Sequence, residues 1–138
     1  MVEFRHRESV FEGLEKRRAG IVFCDMPQLK NLPDGRGMKT PFIGSNAYIR
    51  LHGRNERAWY AAGGSPNGSA RYCYDYSDDE LAHFVPIIKA AVGEGKKVQV
   101  YFNNHPNGSG AKNGIRLKEM IVMEKIGMGK NHLENSAP

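Results

Sequence analysis

The sequence predicts an α/β fold built on a parallel sheet of about four strands. Three observations carry this. Four short apolar segments each end in a cluster of polar, ionisable residues. Segments of strand character alternate with helices or long connections in the order β-α-β-loop-β-loop-α-β-α, the pattern that a parallel sheet requires. Residues 21–24, Ile21-Val22-Phe23-Cys24, are apolar without interruption, as in strands covered on both faces. Four units of this kind make half of an eightfold barrel.

Each element has its own signal. Residues 2–5 read as a strand that starts almost at the first residue. Ser9 offers an N-cap with Glu12 three positions on, a capping box. Val10, Phe11 and Leu14 give that helix a partial apolar face, Lys16-Arg17-Arg18 complements its dipole near the end as a solvated face, and Gly20 suits its stop. The strand over 21–24 ends at Asp25. Residues 26–46 are rich in glycine and proline and read as an irregular connection. A strand covers 47–51, and residues 53–76 form a long loop of the sort that often carries function. Ser77-Asp78-Asp79-Glu80 is a helix start with a cap, an acidic first turn and a capping box. Leu81, Phe84, Val85, Ile88 and Val92 follow at helical spacing, Pro86 is expected to kink the helix, and Gly93 and Gly95 end it. A strand covers 97–103, a turn 106–110, and a last helix 111–126. The reading is one domain over 1–128 and a flexible tail over 129–138.

Bulk properties narrow the class. The chain has 138 residues, enough for one domain. A hydrophobic fraction of 40% and a charged fraction of 25% are ordinary for a globular protein. No run of about 18 apolar residues exists, so no transmembrane helix and no membrane partner are expected. Residues 1–7 lack the apolar core of a signal peptide, which favours the cytoplasm. Cys24 and Cys73 are far apart in sequence and form no CxxC motif; Cys24 reads as a small buried hydrophobe. The net charge of +5 permits an anionic partner without demanding nucleic acid.

Alternation along the strands defines a candidate site. Ile49 and Leu51 share one face of their strand; Arg50, His52 and Arg54 share the other. Glu3 pairs with Arg5 on the first strand, Asp25 ends the second, and Asn103 lies on the same side as His105, with Asn104 opposite. In neighbouring parallel strands all these polar ends meet at one rim, where ligands of α/β proteins bind. Arg5, Arg50 and Arg54 offer bidentate forks for phosphate or carboxylate. Asn103 and Asn104 supply uncharged donors and acceptors. His52 and His105, and His6 beside them, titrate near neutral pH, and Glu3 and Asp25 can act as base. Trp59, Tyr60, Tyr72, Tyr74 and Tyr76 crowd the long loop; all five can stack on a base or sugar, with Trp59 and Tyr76 named as ligand-binding candidates, and all can equally anchor the loop.

Competing readings stand beside these. Buried Arg–Glu pairs in barrels can simply satisfy each other. His6, His52, His105, Glu3 and Asp25 are suitable ligand types for zinc or manganese, but no HxH, HExxH or CxxC spacing links them, so no metal is assigned and the cofactor is left unknown. There is no G-x-S-x-G elbow, and Gly63-Gly64-Ser65 and Asn107-Gly108-Ser109-Gly110 match no P-loop.

Val2-Glu3-Phe4-Arg5-His6, Tyr48-Ile49-Arg50-Leu51-His52-Gly53-Arg54, Tyr74-Asp75-Tyr76-Ser77 and Phe102-Asn103-Asn104-His105 resemble the YecE-like family, also called domain of unknown function 72. The resemblance covers nearly the whole chain up to about Glu119. It implies a TIM-barrel-like fold of roughly twice this length, of which this chain resembles the C-terminal half. The family tends to place a tryptophan soon after its first segment, whereas Val10 follows Ser9 here. The resemblance carries no activity with it. Open strand edges in a half barrel invite pairing, so the expected partners are a second copy or a separately encoded N-terminal half. A truncated fragment without independent activity is the third alternative.

Two function classes fit. One is an enzyme acting on a phosphate-bearing substrate, a nucleic acid or a sugar phosphate, with metal assistance left open. Barrel-shaped, metal-dependent endonucleases of abasic DNA supply an analogy of fold only. The other is a non-catalytic module that binds nucleic acid or another anion, recognisable by affinity that falls steeply with salt.

Overall fold

A computed structural model describes residues 8–30, 32, 42–59 and 69–134, with side chains over 12–30, 32, 42–59 and 70–123. The strand expected over 2–5, with Glu3, Arg5 and His6, lies outside the described residues, as does Tyr60.

The first described element is α1 (Glu8–Lys16). Its end differs from the expected stop at Gly20. Arg18 takes the left-handed conformation (φ 52°). The Ala19 N–H then reaches back to Leu14 O (2.9 Å), and the Arg18 N–H donates to Glu15 O (2.9 Å). This is the paired bonding of a Schellman turn, made with arginine at the position that usually holds glycine.

Three strands follow: β1 (Val22–Asp25), β2 (Asn46–Leu51) and β3 (Lys97–Phe102), paired in parallel in the order β1-β2-β3. Phe23 and Asp25 lie opposite Ile49 and Leu51, and Arg50 lies opposite Tyr101. On β2, burial alternates as expected: Ala47, Ile49 and Leu51 have no exposed surface, while Tyr48 and Arg50 are half-buried. On the second face Tyr48 stacks on Tyr101, ring centres 4.8 Å apart.

The apolar face is covered by α3 (Asp78–Ala82), α4 (Phe84–Gly93) and α5 (Ser109–Glu134). Ser77 caps α3 with the full capping box. The kink expected at Pro86 appears as a break at His83, between α3 and α4. Proline lacks an N–H and its ring crowds the carbonyl four residues back, here Ala82, which displaces the break to that point. Phe84 enters the core at once, 6.4 Å from the ring centres of Phe23 and Tyr76. Leu81, Ile88 and Leu117 complete this layer. Each such side chain, when fully buried, contributes about 1.5–3 kcal/mol. The last helix begins two residues before its expected start and continues to Glu134.

The long loop contains two short pieces, α2 (Glu56–Trp59) and a 3-10 turn (Ser69–Tyr72). A second 3-10 turn (Pro106–Gly108) joins β3 to α5. Among the described residues no helix is long and apolar enough to cross a membrane. Cys24 is buried and Cys73 exposed.

Candidate functional site

Asp25 ends β1 on the helix side of the sheet, opposite Leu51, and is only 2% exposed. A carboxylate this deep needs partners. Arg54 provides a bidentate pair: its Nε donates to Oδ2 (2.9 Å) and its Nη2 to Oδ1 (2.9 Å). The Tyr76 hydroxyl donates to Oδ2 (2.7 Å) and itself accepts the Gly53 N–H (2.8 Å). The His52 N–H donates to the Asp25 carbonyl (3.0 Å), tying the ends of β1 and β2.

Gly53 explains why Arg54 is there. It sits at φ +87° with its α-carbon against Tyr74. That left-handed residue ends the strand alternation, so Arg54 leaves the face of Arg50 and His52, where simple alternation put it, and turns to Asp25. Its Nη1 donates to Glu80 Oε1 (3.0 Å), which also accepts the Tyr74 hydroxyl (2.5 Å). Glu80 Oε2 accepts the Ser77 N–H, closing the capping box. The guanidinium lies 5.7 Å from the centre of the Tyr76 ring.

This network sets its own charge states. Burial opposes the charge on Arg54, but the Asp25 carboxylate and Glu80 outweigh it and hold the group above its ordinary value. Burial, then the Asp25 charge and hydrogen bond, push the Tyr76 phenol far up. Burial, then the Glu80 hydrogen bond, push Tyr74 up to about 12. Burial alone would raise Glu80; the Tyr74 hydroxyl, the Ser77 N–H and Arg54 together bring it below the usual carboxylate range.

A second network joins the loop to α5. Asn104, with no exposed surface, donates from Nδ2 to Tyr74 O (3.0 Å) and Asn113 Oδ1 (2.7 Å). Asn113 donates to Tyr76 O (3.1 Å) and Asp75 Oδ1 (3.0 Å), and its Oδ1 accepts the Tyr76 N–H (3.2 Å). Among the described residues Asn104 Oδ1 has no hydrogen-bond partner; it faces the Gly110 backbone, where an added Cβ would stand 3.4 Å away.

The third group occupies the carboxyl ends of β2 and β3. His52 and His105 each approach the Tyr72 ring, with ring centres at 6.1 and 5.8 Å. Trp59 meets both His52 and Tyr72 edge-on at 6.4 Å. His105 Nδ1 lies 2.9 Å from Asn103 O. A carbonyl only accepts, so Nδ1 is the nitrogen that carries the proton in this contact. Asn103 donates its N–H to Leu51 O (2.7 Å), which holds the end of β3 against β2. Among the described residues no group of three or more His, Cys, Asp or Glu side chains is gathered around a metal position.

The candidate residues thus divide. Asp25, Arg54 and Tyr76 are together but engaged with one another, and Asn104 is engaged with Asn113. His52, His105 and Trp59 are together at the rim. Arg50 lies on the sheet face beside Tyr101. Tyr72, one of the loop aromatics, is the ring that meets both histidines, and Asn113 is the added participant. Tyr72 has no local motif, whereas Asn113 had one: a polar residue four positions before Leu117, on the stripe that faces the core.

The model of the family described as "Protein of unknown function DUF72" matches residues 1–137. The chain belongs to this family. The UPF0759 protein YunF of Bacillus subtilis (strain 168) is 29% identical over 116 residues, 80% of this chain and 39% of that protein. A DUF72 family protein from Thermotoga maritima MSB8 has a crystal structure that matches with a TM-score of 0.75 at 34% identity, over 88% of this chain and 45% of that one. A DUF72 family protein from Enterococcus faecalis V583 matches in fold, with a TM-score of 0.71 at 23% identity. The α/β fold with its parallel three-stranded sheet therefore matches a part of the DUF72 structures, and the chain spans less than half the length of these relatives.

Proposed function

We propose that the chain binds a phosphate-bearing ligand at the carboxyl rim of β2 and β3, as part of a TIM-barrel-like sheet of which these strands form one portion. The observation that carries the reading is the His52–Tyr72–His105 arrangement with Trp59 beside it. Two imidazoles and two aromatic rings converge there from three separate segments: the end of β2, the long loop and the turn after β3. Tyr72 and Trp59 offer flat surfaces for a sugar or base. The His52 and His105 rings supply nitrogen donors and acceptors beside them. Arg50 is the arginine for the phosphate, since Arg54 is bound to Asp25 and Glu80. Asp25, Arg54, Tyr74 and Tyr76 then act as positioning residues that fix the loop.

Trp59 is the only tryptophan in the chain, so intrinsic fluorescence reports on this rim directly. Ribose 5-phosphate, inorganic phosphate and a short single-stranded oligonucleotide are titrated in turn. The expected result is a saturable change in Trp59 emission with ribose 5-phosphate, weakened about tenfold by Arg50→Ala, the loss of one charge-assisted contact. Movement of the His52 and His105 imidazole resonances together in NMR places the ligand between them. No response to any of the three probes refutes the proposal. A response to the oligonucleotide alone, falling steeply with salt, replaces it with the nucleic-acid-binding module.

A further inference from the structure

Alternation along β2 puts Arg50 on the second face of the sheet, the face on which His52 follows two residues later. The rise of a strand sets Arg50 about 6.6 Å inside His52, away from the carboxyl rim. Its register neighbours are Cys24 on β1 and Tyr101 on β3. Tyr101 is drawn one row further in, onto Tyr48, with ring centres 4.8 Å apart and planes at 24°. Among the described strand residues this face carries two cations, Lys97 and Arg50, and no carboxylate. Asp25, the acid that ends β1, lies on the opposite side, where Arg54 holds it.

Arg50 thus differs from the other arginines of this region. It is half-buried, and among the described residues no side chain forms a hydrogen bond or an ion pair with it. Arg57 on α2 and Arg71 in the 3-10 turn are exposed, so water serves their charge. A guanidinium partly withdrawn from water gains most from a counter-ion, whereas exposed pairs gain little. The anion therefore belongs inside the rim, with the rings of Tyr72 and Trp59 outside it.

An anion that reaches Arg50 has to enter end-on past those rings. A phosphomonoester can do so, because its phosphate is a terminus with three free oxygens and about two negative charges at neutral pH. A phosphate within a nucleic-acid strand cannot. It carries a single charge, two of its oxygens are esterified, and a nucleoside follows on each side.

We infer that the ligand is a phosphomonoester of a sugar or nucleoside, bound phosphate-first: the phosphate on Arg50 beside the Tyr48–Tyr101 stack, the sugar or base outside it against Tyr72 and Trp59. The inference rests on the reading of this rim as a phosphate-binding site; it adds the class of phosphate and its direction of entry. The same group occurs on a free sugar phosphate and on the phosphorylated end of a strand.

The test follows Trp59 emission of the whole chain with paired ligands. Ribose 5-phosphate is compared with its methyl phosphodiester, and one short oligonucleotide is compared with and without a terminal phosphate. Methylation should weaken ribose 5-phosphate at least about tenfold. An oligonucleotide that binds only when end-phosphorylated supports the inference and extends the ligand to strand ends; one that binds in neither form supports it with a free sugar phosphate as the source. Equal affinity for monoester and diester, or for the two oligonucleotides, overturns the inference and leaves phosphate binding at the rim standing. Silence with ribose 5-phosphate removes the inference, and silence with every probe removes the rim reading as well. These comparisons use the unaltered chain, so no variant has to fold. Direction of entry is read from arginine variants whose urea midpoints are checked first. Arg50→Ala should lose about tenfold in affinity and Arg50→Lys less, since it keeps the charge without the fork. The double variant Arg57→Ala and Arg71→Ala should bind as the parent does. The reverse pattern puts the phosphate outside the rings and overturns the inference.

Discussion

Tyr76→Phe tests the account of the Asp25 cluster most directly, because it removes one oxygen atom and little else. The hydroxyl is a relay: it accepts the Gly53 N–H at 2.8 Å and donates to Asp25 Oδ2 at 2.7 Å. The tyrosine is 4% exposed, so water has little access to replace it. A hydrogen bond to a charged acceptor contributes about 1.5–3 kcal/mol, and stranding a buried N–H costs about 1–3 kcal/mol. Asp25 keeps its bidentate pair with Arg54 and the ring keeps its packing on Phe84 and Phe102, which offsets part of the sum. The expected loss is about 2–4 kcal/mol. Urea unfolding followed by far-ultraviolet circular dichroism measures it, with the midpoint moving at constant slope. Tyr74→Phe is the internal comparison: among the described residues that hydroxyl bonds only to the partly exposed Glu80, and its removal costs about 1 kcal/mol. A loss below about 0.5 kcal/mol for Tyr76→Phe would refute the reasoning, because it would mean that water reaches the cluster and that Asp25 is open to a ligand after all.

Two further outcomes follow from the same region. Gly53→Ala should destabilise by about 2–4 kcal/mol in the same urea assay, since a Cβ there meets the Tyr74 Cβ at 2.6 Å and the residue is held at φ +87°; adding Tyr74→Ala should recover part of the loss, and no recovery would assign the whole effect to backbone strain. Glu80, held below its ordinary pKa in the fold, stabilises the protein at pH values above the unfolded glutamate range, and that contribution disappears as pH falls through its folded value. The gap in melting temperature between the parent and Glu80→Gln should be widest near neutrality and close below about pH 4; a gap independent of pH would remove the charge from the explanation.

Much of this architecture is legible in the chain because its signals are local. The Ser77–Glu80 box fixes the start of α3 within four residues, and strict alternation from Ala47 to Leu51 names the buried face of β2 correctly. The errors arise where one residue changes the rule for its neighbours. Gly53 ends the alternation, so Arg54 joins Asp25 instead of Arg50. Arg18 ends α1 ahead of the glycine that would ordinarily do so. Pro86 acts on Ala82, so the helix breaks at His83. Each is a backbone effect with a sequence signature too weak to choose among outcomes.

The division of the polar residues has a different origin. Sequence groups Asp25, Arg50, His52, Arg54, Asn103, Asn104 and His105 by type, and type alone does not distinguish a residue that awaits a ligand from one that already has its partners. Pairing across 23 to 51 positions does distinguish them: Gly53 with Tyr76, Arg54 with Asp25, Tyr76 with Asp25. Once Asp25 and Arg54 neutralise each other beneath Tyr76, the cluster holds the ends of β1 and β2 and the Tyr74–Tyr76 segment in one arrangement. The same segment is clamped from the other side by Asn104 and Asn113. The anchored 74–76 segment leads back to Tyr72, whose ring meets both His52 and His105. A saturated cluster of this kind costs the chain its most conspicuous carboxylate and one of its arginines as ligand contacts, and in return gives the rim a fixed floor. Under the proposed function the ligand contacts fall to the less conspicuous group, the two histidines and two aromatic rings, and variants of Asp25 or Arg54 should alter ligand binding only through the stability and position of Tyr72.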